Sequence, residues 1–111
     1  MITIKHKQKT ICKLDPKCNV VRDLFRAGIF NAVEMPDGCT LEDPDYLHPG
    51  DKIPMEYGDL DQMCKHLKIC LEDDLYKADL GEEQKYLKLL YDQTSEALGI
   101  YKDEYYRIVC E

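Results

Sequence analysis

A segment rich in proline and glycine, residues 36–58, divides the chain into two halves with different hydrophobic patterns. It contains four of the five prolines and three of the six glycines in the 111-residue sequence. Proline removes a backbone hydrogen-bond donor and glycine weakens helices and strands, so any regular structure inside this segment must be short. We expect a long connecting or binding loop with at most a brief edge strand, at residues 52–55.

The half before this segment begins with strand-like alternation. Apolar and polar residues alternate over residues 2–6 and again over residues 10–14, which predicts an N-terminal hairpin or a bent strand. The Asp-Pro pair at residues 15–16 is typical of a helix start, and Gly28 is expected to end that helix. Residues 29–35 are interpreted as a second strand region. The apolar face of the helix would consist of Val20, Val21, Leu24 and Phe25.

The half after this segment has helical periodicity. Apolar residues repeat at helical spacing over residues 59–78, and a second such pattern follows Gly81 and stops at Gly99. These patterns predict a long helix and a second helix that packs against it as a hairpin. For residues 101–110 we expect a helix, because acidic residues come early and Arg107 comes late, although the Tyr-Tyr-Arg-Ile-Val run also has strand propensity.

Together these elements predict one α+β domain that spans residues 1–111. It would consist of a small N-terminal antiparallel sheet with one helix, an acidic loop rich in proline and glycine, and a C-terminal helical hairpin. With 44% hydrophobic residues the chain can bury a core of its own, yet no apolar run approaches the ~20 residues that span a bilayer. The first residues alternate isoleucine with charge and lack the apolar segment of a secretory signal, so we expect a cytoplasmic protein without membrane contact.

Charge is unevenly distributed along the chain, whose net charge is −7. Residues 1–28 carry seven basic and two acidic side chains, whereas residues 34–61 carry nine acidic side chains and only Lys52 as a cation. Nucleic-acid affinity comes largely from neutralising phosphates with lysine and arginine, so this balance disfavours direct nucleic-acid binding. The acidic stretch is consistent with three roles: a solvated loop, a cation site, or a surface complementary to a basic protein.

Two groups of residues are the candidates for partner binding. The first consists of carboxylates in the acidic stretch: Glu42, Asp43, Asp45 and Asp51. The second consists of residues that project away from the hydrophobic stripes of the two C-terminal helices: Ile69, Tyr86 and Leu89. A partner or a second copy of the chain would cover the second group. The alternative is that the rest of the chain wraps around both sides of these helices.

Cysteine, histidine and aspartate do not form a recognisable metal site. The six cysteines occur without a secretory signal, so reduced thiols are expected, and the closest pairs are separated by five residues, more than zinc sites prefer. One alternative is a mixed site of His66 and Cys70 with Cys12 or Cys18. Another, which matches no calcium loop, would use a cluster in the acidic stretch: Asp43, Asp45, His48 and Asp51. We expect no metal and no cofactor.

The sequence contains no catalytic motif, since it lacks a glycine-rich phosphate loop, a nucleophile elbow and a Cys-x-x-Cys pair. We therefore expect a non-enzymatic binding protein whose acidic surface engages a basic protein, with a nucleic-acid-binding protein as the favoured partner. The analogy, in size and charge only, is with the small inhibitors by which phages and mobile elements block host defences. The alternatives are a small metal-dependent or cysteine enzyme and a structural homo-oligomer without a ligand.

Overall fold

The computed structural model describes all residues, Met1–Glu111, and begins with an antiparallel hairpin. Strands β1 (Ile2–His6) and β2 (Lys9–Leu14) are joined by a two-residue turn in which Lys7 has a positive φ of 53°. Such a φ is typical of the tight turns whose twist matches that of paired strands. The predicted N-terminal hairpin is confirmed, with a bulge in its register after Ile4.

Two further strands complete a four-stranded antiparallel sheet with the order β2-β1-β4-β3. Strand β4 (Tyr106–Cys110) pairs with β1, and strand β3 (Lys52–Met55) pairs with the other side of β4. The prediction of a helix at residues 101–110 is therefore wrong. Strand propensity and hydrogen bonds on both sides of β4 outweigh the weak interaction of flanking charges with a helix dipole. The brief edge strand at residues 52–55 is confirmed.

Helix α1 (Asn19–Arg26) follows β2 and starts later than predicted. The Asp15 carboxylate accepts a hydrogen bond from the backbone N–H of Lys17 at 2.9 Å, so it caps a turn and not the helix. The helix ends before Gly28, whose φ of 79° is one that glycine adopts without steric cost. Its apolar face is buried as the periodicity predicts: Val20, Val21, Leu24 and Phe25.

Residues 29–35 form turns and not the predicted strand. The N–H of Val33 donates to the carbonyl of Phe30 at 3.1 Å, and the segment is not part of the sheet. Phe30, Val33 and Met35 are nevertheless buried in the core. A short apolar run alone does not distinguish a strand from a buried turn, because only pairing with a neighbour makes it a strand.

The C-terminal helical hairpin is confirmed, but its first helix is divided. Three helices replace the two predicted ones, and the first packs against the last: α2 (Tyr57–Glu72), α3 (Asp74–Leu80) and α4 (Gln84–Ile100). The division lies at Asp73, whose carboxylate accepts a hydrogen bond from the backbone N–H of Tyr76 at 3.1 Å and caps α3. A 3-10 turn, Gly81–Glu83, leads into α4.

The helices all pack on one face of the sheet, which we call the inner face. Buried residues from every helix and every strand join one core cluster, which includes Ile4 of β1, Leu67 of α2 and Leu90 of α4. Val109 of β4 is the one buried hydrophobic residue outside this cluster, so it lies on the opposite, outer face. This two-layer arrangement is an α+β fold. None of its helices combines the length and the apolar character needed to cross a membrane.

Candidate protein-binding surface

Negative charge without a neutralising partner is concentrated in the loop before β3. Between Arg26 and Lys52 the chain contains no lysine or arginine, and residues 34–51, which we call the acidic loop, contain six carboxylates. Five of them are exposed and one is half-buried. None takes part in the five ion pairs of the molecule. The six are Glu34, Asp37, Glu42, Asp43, Asp45 and Asp51.

Buried side chains hold the middle of the acidic loop against the core. Leu41, Pro44 and Leu47 are buried, and exposed residues lie between them. A 3-10 turn at Pro44–Tyr46 sets part of this spacing, because three residues per turn place Pro44 and Leu47 on one side. The loop is therefore anchored at several points and is not a free coil.

The end of the acidic loop is bonded to the sheet. The N–H of Gly50 donates to the carbonyl of Cys110 at 2.8 Å, and the N–H of Cys110 donates to the carbonyl of Asp51 at 2.9 Å. Gly50 has a φ of 97°, which glycine reaches without the steric penalty of a side chain. The predicted long loop is thus present, but its backbone is fixed at both its middle and its end.

The four predicted binding carboxylates divide into two pairs. Asp43 accepts a hydrogen bond from the backbone N–H of Asp45 at 2.8 Å, and Asp51 accepts one from the backbone N–H of His48, also at 2.8 Å. These two side chains hold local turns, as aspartates in loops commonly do. The side chains of Glu42 and Asp45 are exposed and make no hydrogen bond or ion pair within the chain, so they are available to a partner.

Sequence reasoning did not select Tyr46, which follows Asp45 in the acidic loop. Its side chain is 47% exposed, and its hydroxyl makes no hydrogen bond within the chain. Tyrosine is enriched at interfaces because it buries a large area and retains a polar group. A signal was present in the Asp-Pro-Asp-Tyr-Leu pattern, since a 3-10 turn that begins at Pro44 buries Leu47 and leaves Tyr46 outside.

The three predicted residues on the helices lie in different environments. Tyr86 packs against the core, and its hydroxyl donates to the carbonyl of Lys13 at 2.6 Å and accepts from the N–H of Asp15 at 2.9 Å. These contacts account for Tyr86 without a partner. Ile69 on α2 and Leu89 on α4 are 64% and 50% exposed. They lie on the helical hairpin, whereas the acidic loop is bonded to β4.

The candidate metal ligands do not converge. The structure contains no group of three or more histidine, cysteine, aspartate or glutamate side chains placed to hold a metal ion. In the acidic loop, Asp43 and Asp51 are each directed to a different backbone N–H. All six cysteines are free thiols.

Four of the six thiols lie in surroundings that disfavour the thiolate. Burial raises the pKa of Cys12 to about 12, and burial is also the main cause that raises the pKa of Cys18 and of Cys70. The pKa of the exposed Cys39 is raised chiefly by the nearby Asp37 carboxylate. Because the thiolate is the reactive form, these four thiols are weak nucleophiles at neutral pH.

A histidine and an aspartate form a close pair at the other end of the sheet. Nε2 of His6 lies 2.7 Å from Oδ1 of Asp103, and the imidazole stacks on Tyr101 with ring centroids 4.2 Å apart. The hydrogen bond with His6 lowers the pKa of Asp103 below its usual 3.8. The cleft beside Tyr101 has about 170 Å³, below the ~300 Å³ at which ligand pockets usually begin. Neither His6 nor Asp103 lines this cleft, and their hydrogen bond joins the connection between α4 and β4 to the N-terminal hairpin.

Comparisons of this chain with protein-family models, with curated proteins and with solved structures found no match. The choice of a candidate binding surface therefore depends on the residues of this chain alone, and these favour the acidic loop. It combines six carboxylates without an ion pair, a backbone fixed at its middle and its end, and the exposed ring of Tyr46.

Proposed function

We propose that this chain is a small non-enzymatic binding protein whose acidic loop engages a basic surface on another protein. The observation that carries the proposal is the display of six carboxylates, without a lysine, an arginine or an ion-pair partner, on a backbone anchored in the core. Repulsion among like charges destabilises a compact chain, and a basic partner would relieve it.

The fixed backbone favours binding over mere solvation. Ordering a flexible loop at an interface costs free energy, but Leu41 and Leu47 already hold this loop in the unbound chain. Glu42 and Asp45 are free to meet basic side chains, and Tyr46 adds an aromatic contact beside them. The loop would gain affinity from preorganisation and association rate from its charge.

Nucleic-acid-binding proteins are the favoured class of partner, because they expose lysine and arginine to neutralise phosphates. Carboxylates on a fixed loop would occupy the same side chains, and the chain would then act as an inhibitor of nucleic-acid binding. Such an inhibitor would act in a reducing cytoplasm, where free thiols are stable. Inhibitors of phages and mobile elements that imitate phosphate charge remain the analogy in size and charge.

The double substitution Glu42→Lys/Asp45→Lys tests the proposal without disturbing the loop, since neither side chain holds a turn. The matched control is Glu72→Lys/Asp79→Lys, which makes the same charge change at exposed positions of the helical layer that have no ion pair. Wild-type chain captures partners from a cytoplasmic extract, and surface plasmon resonance then measures the association rate of each captured protein with the three chains.

We expect the loop variant to associate about tenfold more slowly than wild type, with little change for the control variant. Wild-type association should also slow as salt rises from about 0.05 to 0.2 M, because screening shortens the range of the attraction. Equal rates for the loop and control variants, or a wild-type rate indifferent to salt, would remove the acidic loop as the binding surface.

A further inference from the structure

The outer face of the sheet is basic although the chain as a whole is acidic. Side chains alternate between faces along a strand, so the register partners of Val109 share its outer face. Thr3 pairs with Val109 at the centre, and Lys5 lies directly opposite Arg107. Lys13 of β2 and Lys52 of β3 flank this centre in the same cross-strand row. The outer face therefore carries four cations: Lys5, Lys13, Lys52 and Arg107.

The buried side chains of every helix belong to the cluster on the inner face, whereas Lys13, Lys52 and Pro54 of the outer face are exposed. Thr3 and Val109 are only 3% and 7% exposed. Lysine and arginine side chains surround these two residues, and such side chains can lay their aliphatic stems on an apolar surface while the charged groups stay in water. The outer face thus has two buried residues at its centre, Thr3 and Val109, and positively charged side chains around them.

Three of the four cations of the outer face form no ion pair within the chain. Lys5 alone forms an ion pair, with the carboxylate of Glu111 at 3.8 Å. Arg107 makes no hydrogen bond or ion pair, and its Nε atom is buried without an acceptor. Lys5 and Arg107 are cross-strand neighbours of the same sign, an arrangement that is unfavourable unless an anion neutralises it. The face therefore has the chemistry of a surface that binds carboxylates or other anions.

We propose that the outer face binds the acidic loop of a second copy of this chain. The two surfaces are complementary, because one carries four cations with a single long ion pair and the other carries six carboxylates with none. Within one copy no ion pair joins them. This inference rests on the proposed function in one respect: both use the acidic loop as the binding surface.

The position of the two surfaces suits a twofold dimer. The acidic loop ends at Asp51, and the next residue, Lys52, belongs to the outer face. In a twofold arrangement each loop meets the outer face of the other copy, so the same contact forms twice and the assembly closes. Adjacent placement lets both contacts form side by side across the axis.

A nucleic acid fits the outer face less well than a second copy does. Sheets that bind single strands stack the bases on aromatic side chains. Within the four strands the uncharged residues of this face are not aromatic: Thr3, Thr10, Pro54 and Val109. The nearest exposed ring, Tyr105, precedes β4 and already has Nζ of Lys7 5.2 Å from its centroid. The face therefore offers four cations but a single aromatic ring at one end, which suits the carboxylates of a folded loop better than a row of stacked bases.

Sedimentation equilibrium of the full chain over a wide concentration series tests the proposal. Lys5→Glu/Arg107→Glu reverses the outer face, and Glu42→Lys/Asp45→Lys reverses the acidic loop. Each variant alone should dimerise at least about tenfold more weakly than wild type, because each places like charges at both contacts. An equimolar mixture of the two should dimerise again, since the reversed face then meets the reversed loop and the two unaltered surfaces meet each other.

The matched control, Lys68→Glu/Lys85→Glu, makes the same charge change on exposed positions of α2 and α4 and should dimerise like wild type. Circular dichroism establishes that each variant is folded. A wild-type chain that stays monomeric at the highest concentration overturns the proposal, and so does a mixture of folded variants that stays monomeric while wild type dimerises.

A third outcome would also overturn the proposal. If wild type stays monomeric but binds a single-stranded oligonucleotide, and Lys5→Glu/Arg107→Glu loses that binding, the outer face is a nucleic-acid site. Failure of the dimer and failure of the proposed function are distinguishable. The variant with the reversed outer face keeps its acidic loop, so it should still bind the basic partner at the wild-type rate if the proposed function is correct.

Discussion

Tyr86 and Tyr46 carry hydroxyl groups with opposite surroundings. Removing the hydroxyl of Tyr86 leaves the carbonyl of Lys13 and the N–H of Asp15 without their partner, whereas the hydroxyl of Tyr46 bonds to nothing in the chain. We expect Tyr86→Phe to lower the free energy of unfolding by about 1 kcal/mol. Tyr46→Phe should stay within about 0.5 kcal/mol of wild type. Urea denaturation measures both, and equal values would mean that the Tyr86 hydroxyl does not join α4 to the hairpin.

Asp103 should make the fold sensitive to acid. Its pKa is lowered from 3.8 by the hydrogen bond with His6, so the folded chain holds this proton less tightly than the unfolded chain does. The resulting stability is complete above the unfolded pKa and is lost as pH falls through the lower folded pKa. Below about pH 4, the free energy of unfolding should therefore fall more steeply in wild type than in Asp103→Asn. Urea titrations at a series of pH values decide this, and parallel profiles would contradict it.

Hydrogen bonds between residues far apart in the chain could not be predicted from the sequence. The off-stripe position of Tyr86 correctly indicated that something covers it, but the residue that it bonds, Asp15, lies 71 positions away. His6 and Asp103 are separated by 97 positions, and no local pattern connects them. The exposure of the carboxylates in the acidic loop was predictable, because charged side chains usually stay in water. The exposure of Tyr46 was not, because it depends on where one short 3-10 turn begins.

Among the elements, the break between α2 and α3 has an identifiable cause. The apolar periodicity continues through it, so a single helix was the prediction from pattern. The carboxylate of Asp73 accepts the backbone N–H of Tyr76 and starts a new helix. We expect Asp73→Ala to lower the free energy of unfolding by about 1 kcal/mol, as loss of an N-cap usually does. Asp79→Ala, at an exposed position of α3 whose side chain makes no hydrogen bond or ion pair, is the control and should be close to neutral in the same urea denaturation.

Elements whose pattern is local were predicted, and elements that depend on distant pairing were not. The N-terminal hairpin and the two helices of the C-terminal hairpin carry their periodicity within a few turns, which is why they were found. Strand β4 exists because β1 and β3 bind its two edges, and both lie more than 50 residues before it in the chain. Residues 29–35 show the converse, since a run with strand composition has no edge to pair with and folds as turns.

In the whole molecule, the distribution of charge in space differs from its distribution along the chain, because the sheet gathers cations from distant segments on one face. The outer face takes Lys5 and Lys13 from the basic N-terminal part, but also Lys52 from the acidic stretch and Arg107 from the end of the chain. A linear count therefore predicted the acidic loop and missed the basic face. Antiparallel register brings the four cations together, and register is a property of the folded sheet.

The charge of the acidic loop should reduce the stability of the fold. Glu42→Lys/Asp45→Lys changes the net charge from −7 to −3 and removes no hydrogen bond, so it should raise the free energy of unfolding at low salt by up to about 0.5 kcal/mol. The difference from wild type should shrink as salt screens the repulsion, which urea denaturation at about 0.02 and 0.5 M NaCl would show. A variant less stable than wild type at low salt would mean that these carboxylates support the fold. A variant that is more stable than wild type yet binds its partner more slowly would show that the two carboxylates lower stability and speed binding. Such a trade-off is common at binding sites.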